Sequence, residues 1–339
     1  MSVVEFLKNI KKNDEVVIVF HNDADGMCAC ALLNKFLESI GKDSLIISQP
    51  MPTDKNLFRK IQTTIPTKII FLDLAVDQQS NVITKLSNIA NILIIDHHQI
   101  SRNMNSSRIV HYNPRFKNPK IYQSASYLVY KILSELFNAE EFLWIAATGI
   151  IGDYNIEDSE DLVEEIKKRY SIEDLYDSLF AKIADMISAA KATKALTSEE
   201  IANLVGKVKD PKDLVGVEKF IESFQLVEKE ISEVMLDAEN SEKIGDIIFY
   251  NLKSHYNIRS EIAKRLSEKN PSKLVLVYQK IGSKLNASAR SKNIDIARIF
   301  KRISRNIKAS VGGHEQAAGA TLNIKDWETF KENLVEALK

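Results

Sequence analysis

EVVIVFHNDADGMCACALLNKFLESIG, residues 15–41, is the stretch on which the reading of the fold turns. EVVIVF (15–20) is a short β-branched run with no polar interruption, which predicts a strand covered on both faces. HNDADG (21–26) then packs three ionisable residues into six positions, and Gly26 leaves room for close backbone approach. The following GMCACALLNKFLESIG has the apolar spacing of a helix. Strand, polar turn and helix in that order are the unit of a parallel α/β sheet.

The same alternation continues outward. SLIIS (44–48), KIIFLDL (68–74) and NILIID (91–96) read as further strands, with the helical pattern QSNVITKLSN (79–88) between the last two. After a loop containing Asn113-Pro114 comes the helical SASYLVYKILSELF (124–137), then the apolar FLWIAATGIIGD (142–153), which reads as another strand. Residues 1–155 are therefore expected to form an α/β domain on a parallel sheet. In 156–243 strand signals vanish and charged, helix-favouring residues dominate, which predicts a helical connector; its start, EDSEDLVEE (157–165), is strongly acidic. Alternation resumes in 244–339, a smaller α/β domain. IIFYNL (247–252) and LVLVYQKI (274–281) read as strands, 256–268 and 296–307 as helices. SVGGHEQAAGATL (310–322) reads as a glycine-rich loop entering a last strand.

Composition bounds the function classes only loosely. The 339 residues carry 46 basic and 46 acidic side chains, so an anionic partner would need a local basic surface. The amino-terminal segment carries charges within its apolar stretch and lacks a signal-peptide core. The most apolar run, 142–151, is far shorter than the ~20 residues a membrane-spanning helix needs. Cys28 and Cys30, the only cysteines, lie two apart on a helix and point in different directions, so no disulfide framework exists. The expectation is a cytoplasmic protein with no membrane contact.

The chemistry gathers at strand ends. His21, Asp23 and Asp25 follow the first strand, Asp73 ends KIIFL, Asp96-His97-His98 ends NILII, and Asp153 follows GIIG. In an open parallel sheet, ligands bind beyond the carboxyl ends of the strands. One strand-end aspartate is usually just a helix N-cap; four groups at successive ends converge on a site. Carboxylate and imidazole donors suit Mn²⁺ or Mg²⁺ rather than thiolate-bound zinc. Two such ions sharing a carboxylate can stabilise both oxygens of an in-line phosphoryl displacement. Asp77 is a weaker candidate than the strand-end Asp73.

With these residues in place, the chain resembles the DHH phosphoesterases: DADG, Asp73, Asp96-His97-His98 and Asp153 look like their four motifs. GGHEQAAG looks like the DHH-associated carboxyl-terminal domain of the RecJ and nanoRNase branch. The motif forms look closer to archaeal RecJ-like exonucleases. The resemblance implies that His21, Asp23 and Asp73 hold one ion, and that Asp25, Asp73, His97 and Asp153 hold a second, with Asp73 shared. It implies further that Asp96 orients the histidines and that His98 contacts the scissile phosphate and helps protonate the leaving oxygen.

In the carboxyl-terminal part, Arg290 can fork two hydrogen bonds onto a phosphate, and Gly312 and Gly313 let backbone amides approach an anion. His314 could contact a phosphate or stack on a base. Arg298, Lys301, Arg302, Arg305 and Lys308 fall opposite the apolar Ile296, Phe300, Ile303 and Ile307, which suggests a track for a nucleic-acid backbone. The whole predicts a manganese-dependent phosphodiesterase, an exonuclease on single-stranded DNA or RNA or on short oligonucleotides. Alternatives within the class are a nanoRNase or 3′,5′-bisphosphate nucleotidase, or a cyclic-dinucleotide phosphodiesterase. Outside it stands a RecJ-like scaffold docked to replication or repair proteins.

Overall fold

The structure is a computed structural model that describes residues 1–50, 56–153 and 156–338. The chain divides into two compact units, Met1–Phe224 and Gln225–Lys339. The helical stretch after residue 156 is thus shared between them, most of it packing with the first unit.

The first unit is built on five parallel strands: β1 (Val16–His21), β2 (Ser44–Gln49), β3 (Lys68–Leu72), β4 (Asn91–Ile95) and β5 (Ile109–Tyr112), in the order β2-β1-β3-β4-β5. Alternate residues of each strand enter two separate cores. Ile18, Phe20, Ile70, Leu72, Leu93 and Ile95 face one side. Val17, Val19, Ile69, Phe71, Ile92 and Ile94 face the other. Both faces are covered, which is why these strands read as unbroken apolar runs.

Register then decides where the polar residues go. Phe20 lies opposite Leu72, Leu72 opposite Ile95, and Ile95 opposite Tyr112. The next row along the sheet is therefore His21, Asp73, Asp96 and Asn113. Backbone hydrogen bonds from Asp73 N to Ile95 O and from Asp96 N to Tyr112 O carry the ladder into that row.

The strand expected over 142–153 is corrected. Residues 143–152 form a buried helix, Leu143–Gly152, and Asp153 is its C-cap rather than the end of a strand. A ten-residue run apolar on every side has no period to separate a buried strand from a buried helix, and Leu143, Ala146 and Ala147 favour the helix. Asp153 thus reaches the edge from a helix end and not from a fourth strand. The helix lies against Ala24–Ser39 and Ala125–Ser134 through small residues; a Cβ on Gly149 would sit 2.6 Å from Ser126 Cβ and 3.0 Å from Cys28 Cβ. Cys28 is thus a small residue chosen for a tight helix crossing.

The second unit carries a six-stranded sheet in the order β10-β11-β9-β8-β7-β6. Its strands are β6 (Glu242–Ile244), β7 (Ile247–Asn251), β8 (Leu274–Ile281), β9 (Lys284–Arg290), β10 (Ala309–His314) and β11 (Ala317–Asn323). Only β7 and β8 pair in parallel. Phe249, Phe300, Trp327 and Phe330 anchor its core, packing the helices Ile296–Ile303 and Trp327–Ala337 on the sheet. The expected glycine-rich loop is instead the hairpin β10–β11, with Gly312 opposite Gly319 and Gly313 opposite Ala318. Gly313 has φ 135°, and a Cβ there would lie 2.3 Å from Ala317 O, so two backbones meet where a glycine-rich loop was expected.

Replacing Gly149 by Ala forces overpacking between three helices. We expect a loss of about 1–3 kcal/mol in unfolding free energy, read from denaturant titration. An unchanged midpoint would show that the crossing has slack.

Candidate metal centre

Each element end contributes its polar groups for a local reason. Asp23 performs both roles that a strand-end aspartate can take: its Oδ1 accepts from Gly26 N at 3.0 Å as the N-cap of Ala24–Ser39, while Oδ2 lies 2.8 Å from His21 Nδ1. The turn is tight enough that a Cβ on Gly26 would stand 2.2 Å from His21 O, so only glycine fits there. Asp25, one residue into the helix, is buried, and both its oxygens are gripped by the amides that open Ala125–Ser134. Ala125 N donates to Oδ2 at 2.6 Å and Ser126 N to Oδ1 at 2.9 Å.

Asp73 is at the centre. It is 2% exposed and sits at φ 59°, the left-handed region that aspartate tolerates better than most residues. Its Oδ2 lies 3.3 Å from His21 Nδ1 and its Oδ1 lies 3.0 Å from His97 Nε2, so the two oxygens face two different histidines. His97 Nδ1 in turn lies 3.6 Å from Asp153 Oδ2. Asp96 Oδ1 holds His98 Nδ1 at 2.7 Å.

Potential ligand atoms fall into groups within 4.8 Å of one another: His21, Asp23 and Asp73; Asp25, His97 and Asp153; and Asp73 with Asp96, His97 and His98. All eight residues singled out from the sequence at this edge are brought together. Asp77 is not among them; its carboxylate instead accepts the Ser101 and Arg102 amides and ties down the loop after β4.

Charge explains what the site needs. Burial raises the proton affinity of Asp25, and the nearby Asp73 and Asp153 raise it further. Asp153 is likewise pushed up to about 6 by burial, partly offset by His97. For His21, burial opposes the charged form, but Asp23 and Asp73 outweigh it and raise the pKa to about 10. His97 is also raised to about 10 against burial, by Asp153 and Asp73. Asp96, despite its burial, is lowered to about 2 by His98. His21 opposes the same burial cost at Asp23 and holds it down. The cluster therefore demands positive charge and, without ions, draws it from protons on histidine.

The residues fit divalent ions. Asp25 is held as an acceptor by two amides while its neighbours resist its charge, and the buried Asp153 Oδ2 makes no hydrogen bond among the described residues. A cation between these groups satisfies both demands, and the oxygen and imidazole donors suit Mn²⁺ or Mg²⁺.

Several neighbours escaped the sequence reading. Asn113 Nδ2 donates to His98 O, Arg115 Nε to His97 O, and the Tyr122 hydroxyl to Asp153 Oδ1. Lys191 Nζ donates to Asn22 Oδ1 and stands close enough to Asp23 to feel its charge. Asn113 could have been found from its place one residue beyond Tyr112 in the edge row; no spacing signals the others.

In the second unit, Arg290 lies on β9 opposite Ala317, and Ala317 lies opposite His314, so both expected residues occupy one row of the sheet. Arg290 Nη1 donates to Ala289 O and Nη2 to Ser260 Oγ. The His314 side chain lies outside the described residues. Gly312 is open, with nothing near its would-be Cβ. Arg298, Lys301, Arg302, Arg305 and Lys308 are exposed.

Known proteins share this fold and domain pairing. Residues 15–151 match the DHH family, N-terminal domain, and residues 246–339 match the DHHA1 domain. No curated protein matches. Among solved structures, RecJ from Thermus thermophilus in complex with Mn²⁺ is similar, with a TM-score of 0.77 and 17% identity over 98% of this chain. This chain spans 53% of that protein's length. An exonuclease RecJ bound to manganese gives 0.70 and 16%, covering 98% of this chain and 92% of that one. A pGpG-specific phosphodiesterase from Vibrio cholerae gives 0.52 and 12%, covering 95% and 98%. Among the described residues no helix is long and apolar enough to cross a membrane.

The raised histidines set a pH dependence. A His whose pKa moves from 6.5 unfolded to about 10 folded adds stability that is complete below 6.5 and lost as pH climbs through about 10. The chelated protein should therefore lose thermal stability across that window, and saturating Mg²⁺ should flatten the slope because its ligand histidines are already neutral. Equal slopes with and without Mg²⁺ would contradict the assignment of His21 and His97 as ligands.

Proposed function

The chain belongs to the DHH phosphoesterase family and is RecJ-like in its pairing of two domains, and from that premise we propose that it is a two-metal phosphodiesterase acting on the ends of single-stranded nucleic acid. The observation that carries this reading is Asp73, whose two oxygens face His21 on one side and His97 on the other. We assign His21, Asp23 and Asp73 to one ion and Asp25, Asp73, His97 and Asp153 to the other. Manganese is the preferred ion and magnesium a substitute. When bound, the ions supply Lewis-acid charge to the phosphoryl group and acidify water.

The chain's own residues do the rest. Asp96 fixes the His98 ring through Nδ1, and we assign His98 to contact the phosphate or deliver a proton to the leaving oxygen. His98 is 23% exposed, against 2% for His97, as a group that meets substrate must be. In the second unit Arg290, the open Gly312, the close-packed Gly313 and the row containing His314 form the proposed grip on a terminal phosphate. The exposed basic residues around Ile296–Ile303 would follow the strand backbone.

A dinucleotide substrate is the second reading, suggested by the likeness in fold to the pGpG-specific phosphodiesterase. A purely scaffolding role is disfavoured because every ligand position keeps a competent side chain. The test is digestion of 5′- and 3′-labelled RNA and DNA, from dinucleotides to long oligomers, with Mn²⁺. We expect stepwise shortening from one end, and a loss of about 10²–10⁴-fold in kcat for Asp96→Ala. No cleavage of any oligomer would reject the proposal, and cleavage confined to dinucleotides would select the second reading.

A further inference from the structure

We propose that Arg115 and Tyr122 form a positioning clamp on His97 and Asp153 and so act chiefly on the affinity of the ion site those two residues complete. The inference rests on the two-ion reading above. Both residues lie in the segment between β5 and the helix Ala125–Ser134. Asn113 Oδ1 caps the short turn Pro114–Phe116 by accepting from Arg115 N, and this turns the guanidinium back toward the strand edge. Arg115 Nε then donates to His97 O at 2.7 Å, and Nη1 donates to Pro119 O at 2.6 Å. One planar fork thus ties the backbone of a ligand histidine to the loop that carries Tyr122.

Tyr122 acts on the side chains. Its ring stacks on the His97 imidazole, with centroids 5.0 Å apart and planes 23° from parallel. The Arg115 guanidinium carbon lies 5.9 Å from the centre of the same ring. Its hydroxyl donates to Asp153 Oδ1 at 2.8 Å, and burial next to Asp153 keeps that hydroxyl protonated. With Oδ1 occupied, Oδ2 is the oxygen turned to His97, and it has no hydrogen-bond partner among the described residues. The clamp therefore leaves Asp153 Oδ2 as the oxygen that would serve an ion and fixes the orientation of the His97 ring. Tyr122 is itself moored, its amide donating to Asp158 Oδ2 and the neighbouring Gln123 Nε2 to Asp158 O.

Selectivity follows from the contacts. Asp23 is fixed by Gly26 N, and His21 by Asp23 and Asp73. The clamp's bonds described above go to His97, Asp153 and Pro119, not to His21 or Asp23. Partners that orient metal ligands are worth about 10–100-fold in affinity, and here that effect should fall chiefly on the site of His97 and Asp153, reaching the other only through the shared Asp73.

The test is Mn²⁺ titration of the full-length protein, following free Mn²⁺ by electron paramagnetic resonance and heat by calorimetry. Two binding events are expected for the unaltered chain. Tyr122→Phe, which keeps the ring and removes only the hydroxyl, and Arg115→Ala should each weaken one event about 10–100-fold and move the other by less than about twofold. Asp153→Ala should remove the same event, and Arg115→Lys, retaining one donor for His97 O, should restore part of the loss. If both events weaken together, or neither moves, the clamp is refuted while the two-ion reading stands. If the unaltered chain binds fewer than two ions, the two-ion reading fails and takes the clamp with it. Thermal melts of the chelated variants guard against misfolding; a variant with a lowered melt is replaced by its conservative partner at the same position.

Discussion

Asp73 is a buried carboxylate held at positive φ between two imidazoles, and the first unit is organised around the problem of keeping it there. An aspartate taken out of water must be neutralised, paired or bound to a cation. Four more aspartates approach the same edge, which multiplies the cost. Histidine protons can meet part of it, as the raised His21 and His97 show, but they do so by occupying the nitrogen lone pairs that a metal would use. The left-handed backbone at Asp73 belongs to the same constraint: strain is stored where the geometry of a site has to be met.

Bringing these groups within reach of one another is a matter of sheet register and helix size. The parallel ladder places His21, Asp73 and Asp96 in one row because apolar neighbours one residue earlier are aligned, and a slip of one would turn their side chains to the wrong face. Asp25 and Asp153 arrive from helices, which have to come unusually close. Gly149, Gly152, Ala24 and Ser126 make that approach possible, and the helix that begins at Ala125 points two amides at Asp25 as it arrives. Core packing and site assembly are here one requirement.

This explains what could be seen from sequence and what could not. Strand ends were legible because β-branched runs stop abruptly at Asp or His, and the register of a parallel sheet does the rest. Leu143–Gly152 was not, since an all-apolar segment has no period to read, yet Asp153 reached the same site from a helix end. The β10–β11 hairpin was hidden by glycines that signal loops more often than close strand pairs. Asp77 looked like a second candidate beside Asp73 and is occupied by two loop amides instead. Arg115 and Tyr122 act through a backbone carbonyl and a ring face, contacts that leave no spacing pattern.

Protons and divalent ions therefore compete for the same place. Loading two ions would require His21 and His97 to give up protons they hold tightly in the chelated protein, so binding would release protons and strengthen as pH rises. The same ions would relieve Asp25 and Asp153, whose charges are disfavoured until a cation arrives. Stability and occupancy thus draw on one set of groups. A substitution that removes a carboxylate eases the empty site and weakens the filled one, and for that reason the residues that look most costly to the fold are the ones the chemistry needs.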